Sequence, residues 1–207
     1  MKYGDLNLGQ IEAVVNKLGG MKGLNKFLRG ELTVSEPIQR WRERDGVIYL
    51  SLVSDGKTGP EWVIYLESKG LRISDYAKQL LLSPDFKPTN GVVYEIAILK
   101  GMLFENSERI TKNIRAEAEK RSLLKPNAEV ACLIRANFSD EELEAMGLYW
   151  IVTMHEPIKD SDDSPRLLSA DRNDGGSWLG TRYDSPVSEW GRCGGFAFAV
   201  SQVELIA

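Results

Sequence analysis

Residues 91–99 read GVVYEIAIL. Seven of the nine side chains are apolar, without the alternation of a strand that keeps one wet face. The spacing therefore predicts a central strand covered on both sides. Leu148–Met154 gives a second buried strand, and Gly46–Val53, rich in β-branched and aromatic residues, a third. After the first of these, Ser107–Ser122 is dominated by Glu, Lys, Arg and Ala, with an apolar stripe of only Ile110, Ile114 and Ala118. That pattern predicts a helix with most of its surface in water.

Punctuation residues place the other elements. Pro60 suits the first turn of a helix running to Lys69 and closed by Gly70, with Trp62, Val63 and Leu66 inward. Ser74 is a good N-cap for a helix to Leu82. Pro126 opens Asn127–Ala136, and Ser139 with Glu142 forms a capping box for a helix ended by Gly147. At the start of the chain, Leu8, Ile11, Val14, Val15 and Leu18 define one helical face, Gly19-Gly20 stops it, and Leu24, Phe27 and Leu28 define a second helix ended by Gly30. Strands are also expected at Trp178–Tyr183 and Phe196–Val200. The fold class is α+β: an N-terminal helix pair over residues 1–34, then an α+β core over 35–207 whose end, from about 156, is β-rich.

Composition bounds the chemistry. The 207 residues allow one domain, or one domain and a small appendage. With 43% apolar and 27% charged residues, the chain is an ordinary folded domain. A net charge of -4 argues against a strongly basic nucleic-acid coat but leaves room for a local basic patch. One histidine and two cysteines exclude a disulfide framework and most metal sites. The first ten residues lack the apolar core of a signal peptide, and no apolar run approaches the roughly 18–20 residues that span a bilayer. The expected location is the cytoplasm, with no membrane partner. No phosphate-binding glycine loop opens a helix, so no nucleotide cofactor, and no cofactor of any other kind, is expected.

Four groups of residues are candidates for function. Trp178, Tyr183, Trp190 and Phe196 are four aromatics within nineteen residues, set among Arg182, Asp184 and glycines. Aromatics among polar neighbours suit recognition of a protein partner or small ligand, through Trp178, Arg182, Tyr183, Asp184 and Trp190. Lys17, Lys22, Lys26 and Arg29 put four cations on the N-terminal pair with no acid between them, an arrangement open to nucleic acid. His155, just after a buried strand, and Cys193, in a glycine-rich turn, could form a Cys–His dyad. Finally, Asp160, Asp162, Asp163, Asp171 and Asp174 fall within fifteen residues. They fail the EF-hand register and are expected on a solvated loop, with Asp160, Asp162, Asp171 and Asp174 as the candidate cation ligands. The leading expectation is a non-catalytic binding protein.

Two resemblances accompany these readings. The segments LNLGQIEAVVNKLGG, KFLRGEL, SPDFKPT, NIRAEAEKRSL, FSDEELEAMGL and MHEPIKDSD resemble a recurring family of bacterial proteins from reduced-genome candidate phyla, which brings no catalytic residues with it. Trp178–Asp184 followed by Gly195-Phe196 is similar to the last strands of C-type-lectin-like domains, without their disulfides or calcium motif.

Overall fold

In the computed structural model, which describes residues 7–33, 40–173 and 175–200, the apolar run at 91–99 forms most of an eleven-residue strand. The helices are α1 (Leu8–Lys17), α2 (Gly20–Leu28), α3 (Gly59–Ser68), α4 (Asp75–Leu82), α5 (Thr111–Lys120), α6 (Glu129–Asn137) and α7 (Asp140–Ala145). The strands are β1 (Trp41–Arg44), β2 (Val47–Asp55), β3 (Arg72–Ile73), β4 (Asn90–Lys100), β5 (Leu123–Leu124), β6 (Trp150–Thr153), β7 (Ile158–Lys159), β8 (Pro165–Asn173), β9 (Gly176–Tyr183) and β10 (Gly194–Val200). The fold is α+β, as expected. The chain divides into two compact units, Met1–Gln39 and Arg40–Ala207. The expected break at 34/35 falls just ahead of that division and borders residues outside those described.

All ten strands of the second unit join one mixed sheet in the order β1-β2-β4-β10-β6-β8-β9-β3, with β5 on β10 and β7 on β8. Strands β4 and β10 pair antiparallel from Ala199↔Ile96 to Gly195↔Lys100, and β10 runs parallel to β6. The central position predicted for the 91–99 run follows from this order. One sheet face packs Ile48, Leu50, Ile96, Ile98 and Ile151 against Trp62 and Leu66 of α3, Leu80 of α4 and the buried length of α6. The other packs Val47, Leu99, Val152, Phe196 and Phe198 against Ile114 and Ala118 of α5. Each such side chain removed from water stabilises the fold by about 1.5–3 kcal/mol before entropy is charged.

Local signals explain the elements. The helix α3 starts with Thr58 and Glu61 in a reciprocal capping box and Pro in its first turn. Ser74 caps α4 through Ala77 N–H at 3.2 Å, and Ser139 caps α7. Strand β1 carries the charged sequence WRER, and its partner β2 is reached through Asp45-Gly46. Both turn residues have positive φ, 53° and 73°, the demand of a tight hairpin turn. The glycine-rich run near Cys193 serves packing: a Cβ on Gly194 would stand 1.9 Å from the Trp150 ring.

The largest correction concerns residues 156–176. The expected solvated acidic loop is built into the sheet as β7 and β8, and Leu167 through Asp171 are buried.

Candidate functional site

Cross-strand register assembles a cluster on neighbouring strands. Trp150 of β6 pairs with Asp171 of β8, Asp171 with Trp178 of β9, and Trp178 with Arg72 of β3. Directly paired residues share a sheet face, so a carboxylate lies between two indoles. With strands about 4.8 Å apart, the two tryptophan backbones stand about 10 Å apart with Asp171 between them. In the next row, Ser169 pairs with Gly180. A Cβ on Gly180 would fall 2.3 Å from Asp171 Oδ2, so a larger residue there would push the carboxylate aside.

The carboxylate is held from two sides. Ser169 Oγ donates to Asp171 Oδ2 at 2.9 Å, and Arg182 Nη2 donates to Oδ1 at 2.6 Å. The Arg182 guanidinium also lies 5.9 Å from the Trp150 ring centroid. Burial pushes the Asp171 carboxyl upward from its ordinary value, opposed by the Arg182 charge, the Ser169 hydroxyl and the Arg135 charge.

These residues line a cleft of about 420 Å³. Tyr76 of α4 and two further arginines from β8, Arg166 and Arg172, complete its wall. Arg166 is stacked 4.3 Å from the Tyr76 ring and bonded to Asp160 at 2.7 Å. Arg172 is stacked 4.2 Å from the Tyr149 ring, with Nε on the Leu148 carbonyl at 2.9 Å. Each arginine has a carboxylate partner, Arg182 on Asp171, Arg166 on Asp160 and Arg172 on Glu144 at 3.4 Å, and alternation along β8 puts Arg166 and Arg172 on the sheet face opposite Asp171. The Trp178 indole N–H has no acceptor among the described residues.

A second cleft, of about 460 Å³, lies where α6 meets α7. Its cations Arg40, Lys69 and Arg135 face Asp140, Glu141 and Glu142. Two direct pairs, Arg40–Glu142 at 2.6 Å and Arg135–Asp140 at 2.9 Å, leave it little net charge to offer a ligand.

Of the residues expected to recognise a partner, Trp178 and Arg182 line the first cleft and Tyr183 is half exposed at the end of β9. Two others are structural. Trp190 stacks on Trp150 and Phe196, both at 5.5 Å, and its indole N–H donates to Thr111 Oγ1 at 2.9 Å. Asp184 is withdrawn into an ion pair with Arg115 at 2.9 Å, its side chain 7% exposed.

The Cys–His dyad is not assembled. His155 Nε2 accepts from the Leu168 N–H at 2.9 Å, and Nδ1 faces the Glu156 carbonyl at 2.6 Å. Both ring nitrogens are thus committed to backbone. Cys193 is exposed beyond the opposite end of β6, where its carbonyl accepts from Tyr149 N–H. Six residues of nearly extended chain from Tyr149 to His155 correspond to about 20 Å.

The candidate cation ligands are likewise dispersed. Asp160 bonds Arg166 and the loop N–H groups of Asp162 and Ser164, Asp171 bonds Arg182, and Asp162 and Asp163 are exposed. Asp174 lies outside the described residues. Among the described residues no group of three His, Cys, Asp or Glu side chains could hold a metal ion. The basic residues Lys17, Lys22, Lys26 and Arg29 are all exposed on the helix pair.

Sequence reasoning missed Trp150, Arg166, Arg172 and Tyr76 as site residues. The usable signal lay in Pro165–Asn173, where Leu167-Leu168-Ser169-Ala170 between two arginines marks a strand, but the surrounding aspartates masked it.

No protein-family model, curated protein or solved structure matches the chain. No described helix is long and apolar enough to cross a membrane.

Proposed function

We propose that the protein is a binding protein whose C-terminal half takes a small anionic ligand bearing a ring in the Trp178–Arg182 cleft. One observation carries this reading: Arg182 and the buried Asp171 lie beside the Trp150 and Trp178 indoles in one cleft, whose wall Arg166 and Arg172 also line. Guanidinium groups supply fixed, forked donors suited to carboxylate or phosphate. The indoles and Tyr76 supply flat apolar surface, and Asp171 accepts from a ligand hydroxyl. The strands hold these groups more rigidly than loops would. The likeness of Trp178–Asp184 to C-type-lectin-like strands adds acidic and phosphorylated sugars to the ligands worth offering.

The test is tryptophan-fluorescence and NMR titration with uronic acids, sugar phosphates and nucleoside monophosphates. At least one class should bind saturably. Trp178→Ala should weaken it about thirtyfold, the loss of one aromatic anchor worth about 2 kcal/mol. Arg182→Gln should weaken it at least as much. Gly180→Ala should displace the Asp171 carboxylate and impair binding with the indoles intact. Failure of all three classes to bind, or binding indifferent to Trp178→Ala and Arg182→Gln, would refute the assignment.

A further inference from the structure

The helix pair poses a problem that the cleft does not touch. Among its described residues, no side chain of α1 or α2 is buried. Met21, Phe27 and Leu28 of α2 are 61%, 42% and 71% exposed, and Leu8, Ile11 and Val14 of α1 are exposed as well. A water-facing apolar surface of this density on so short a segment marks a surface that is covered in use.

Charge identifies what covers it. At about 100° per residue, Met21, Leu24, Phe27 and Leu28 occupy an arc of about 120° on α2. Lys22, Asn25, Lys26 and Arg29 occupy the opposite side, and Lys17 ends α1. From residue 13 to residue 30 there are four cations and no acid, in a chain whose net charge is -4. Duplex DNA would satisfy the cations and leave the apolar arc in water. A second copy of the hairpin would cover the apolar arc and leave the cations, on the opposite side, without a counter-charge. An anionic lipid surface satisfies both, taking the apolar arc at the acyl boundary while the lysines reach the headgroups. The helices, ten and nine residues long, are far too short to span a bilayer and suit lying in its plane.

We infer that the α1–α2 hairpin docks the protein on an anionic lipid bilayer. The inference replaces the sequence expectation of nucleic acid at Lys17, Lys22, Lys26 and Arg29, and it amends the expectation of no membrane partner from spanning to surface contact.

The experiment is flotation of the full chain with phosphatidylcholine vesicles, with and without phosphatidylglycerol. Binding is expected only with phosphatidylglycerol present and should weaken as salt rises. Lys22→Gln with Lys26→Gln should reduce it about thirtyfold, from the loss of two surface cations. Phe27→Ser with Leu28→Ser should abolish it while the thermal unfolding of the second unit is unchanged. No flotation with anionic vesicles overturns the inference. So does anionic binding that survives Phe27→Ser with Leu28→Ser, tighter binding to duplex DNA indifferent to that pair, or a dimer in light scattering that the pair dissociates.

Discussion

The environment of His155 makes a quantitative demand on folding. The ring is 1% exposed, with both nitrogens bonded to backbone. Burial holds its pKa down to about 4, although the Glu156 carbonyl and the Asp184 charge both pull it upward. In the unfolded chain the imidazole titrates near the ordinary value of about 6.5. The unfolded state therefore binds the extra proton first as pH falls, and stability declines with it. With these two values, lowering the pH from 7 to 5 costs about 2 kcal/mol from this group alone. The chain has no other histidine to share the window. Asp171 acts with the opposite sign, since its raised folded value gains stability as pH falls. The informative quantity is thus the difference between the wild type and His155→Gln, in which Asp171 cancels. Urea unfolding followed by tryptophan fluorescence at pH 7, 6 and 5 would measure it. The wild type should lose about 2 kcal/mol more than the variant over that range. If the variant does not fold, NMR titration of the single imidazole in the wild type decides: its signals should stay those of the neutral ring at pH 5. An imidazole that titrates near its ordinary value in the folded protein would refute the reasoning.

The two aromatics that sequence placed together should separate on truncation. Trp190→Ala removes the ring packed on Trp150 and Phe196 and should cost about 3 kcal/mol in thermal or urea unfolding, whereas Tyr183→Ala, at a half-exposed position, should stay within about 0.5 kcal/mol. The cysteines should divide in the same way under a thiol reagent. Cys193 is exposed and should react in the native protein, while Cys132 is buried with its thiol pushed far upward by burial and should react only on unfolding. Mass spectrometry of the native reaction should show one adduct; two adducts would mean that α6 opens readily.

The elements legible in the sequence were those with strong local signals. Ser74 and Ser139 announce helix starts through capping and Pro60 through its place in a first turn. The 91–99 run announces a central strand, although it is buried only from Ile96 onward, with Val92, Val93 and Glu95 exposed. Strand β1 escaped because three of its four residues are charged, although Asp45-Gly46 carried the hairpin signal. Strand β8 escaped because Asp171 within it and Asp160 ahead of it were counted as solvated charges. Their neutralising partners come from elsewhere in the sheet, Arg182 eleven residues along the chain from Asp171 and Arg166 six from Asp160. A register that brings Trp150, Asp171 and Trp178 into one row is a long-range property. No local spacing encodes it. The same limit applies to His155, whose acceptor role toward Leu168 depends on where β8 passes the end of β6.

Net charge was the least informative of the bulk properties, and the structure explains why. Many of the acids are committed inside the fold. Glu129, 1% exposed, accepts from the Thr89 hydroxyl at 2.5 Å and from the Tyr94 hydroxyl at 2.6 Å, and burial pushes that phenol up to about 12. Asp184 is spent on Arg115, Asp160 on Arg166 and Asp140 on the buried Arg135. Arg135 in turn donates through Nη1 to the carbonyl of Asp171 at 3.2 Å and through Nη2 to that of Phe138 at 2.6 Å. The backbone of the residue that supplies the cleft carboxylate is thereby fastened to α6 by a guanidinium that solvent does not screen. The lysines of the hairpin remain exposed while many of the acids are committed inside the fold, whereas the arginines of the cleft are paired with Asp160, Asp171 and Glu144. A chain with a net charge of -4 can in this way present a local positive surface. The field a ligand meets depends on which charges stay exposed rather than on their sum.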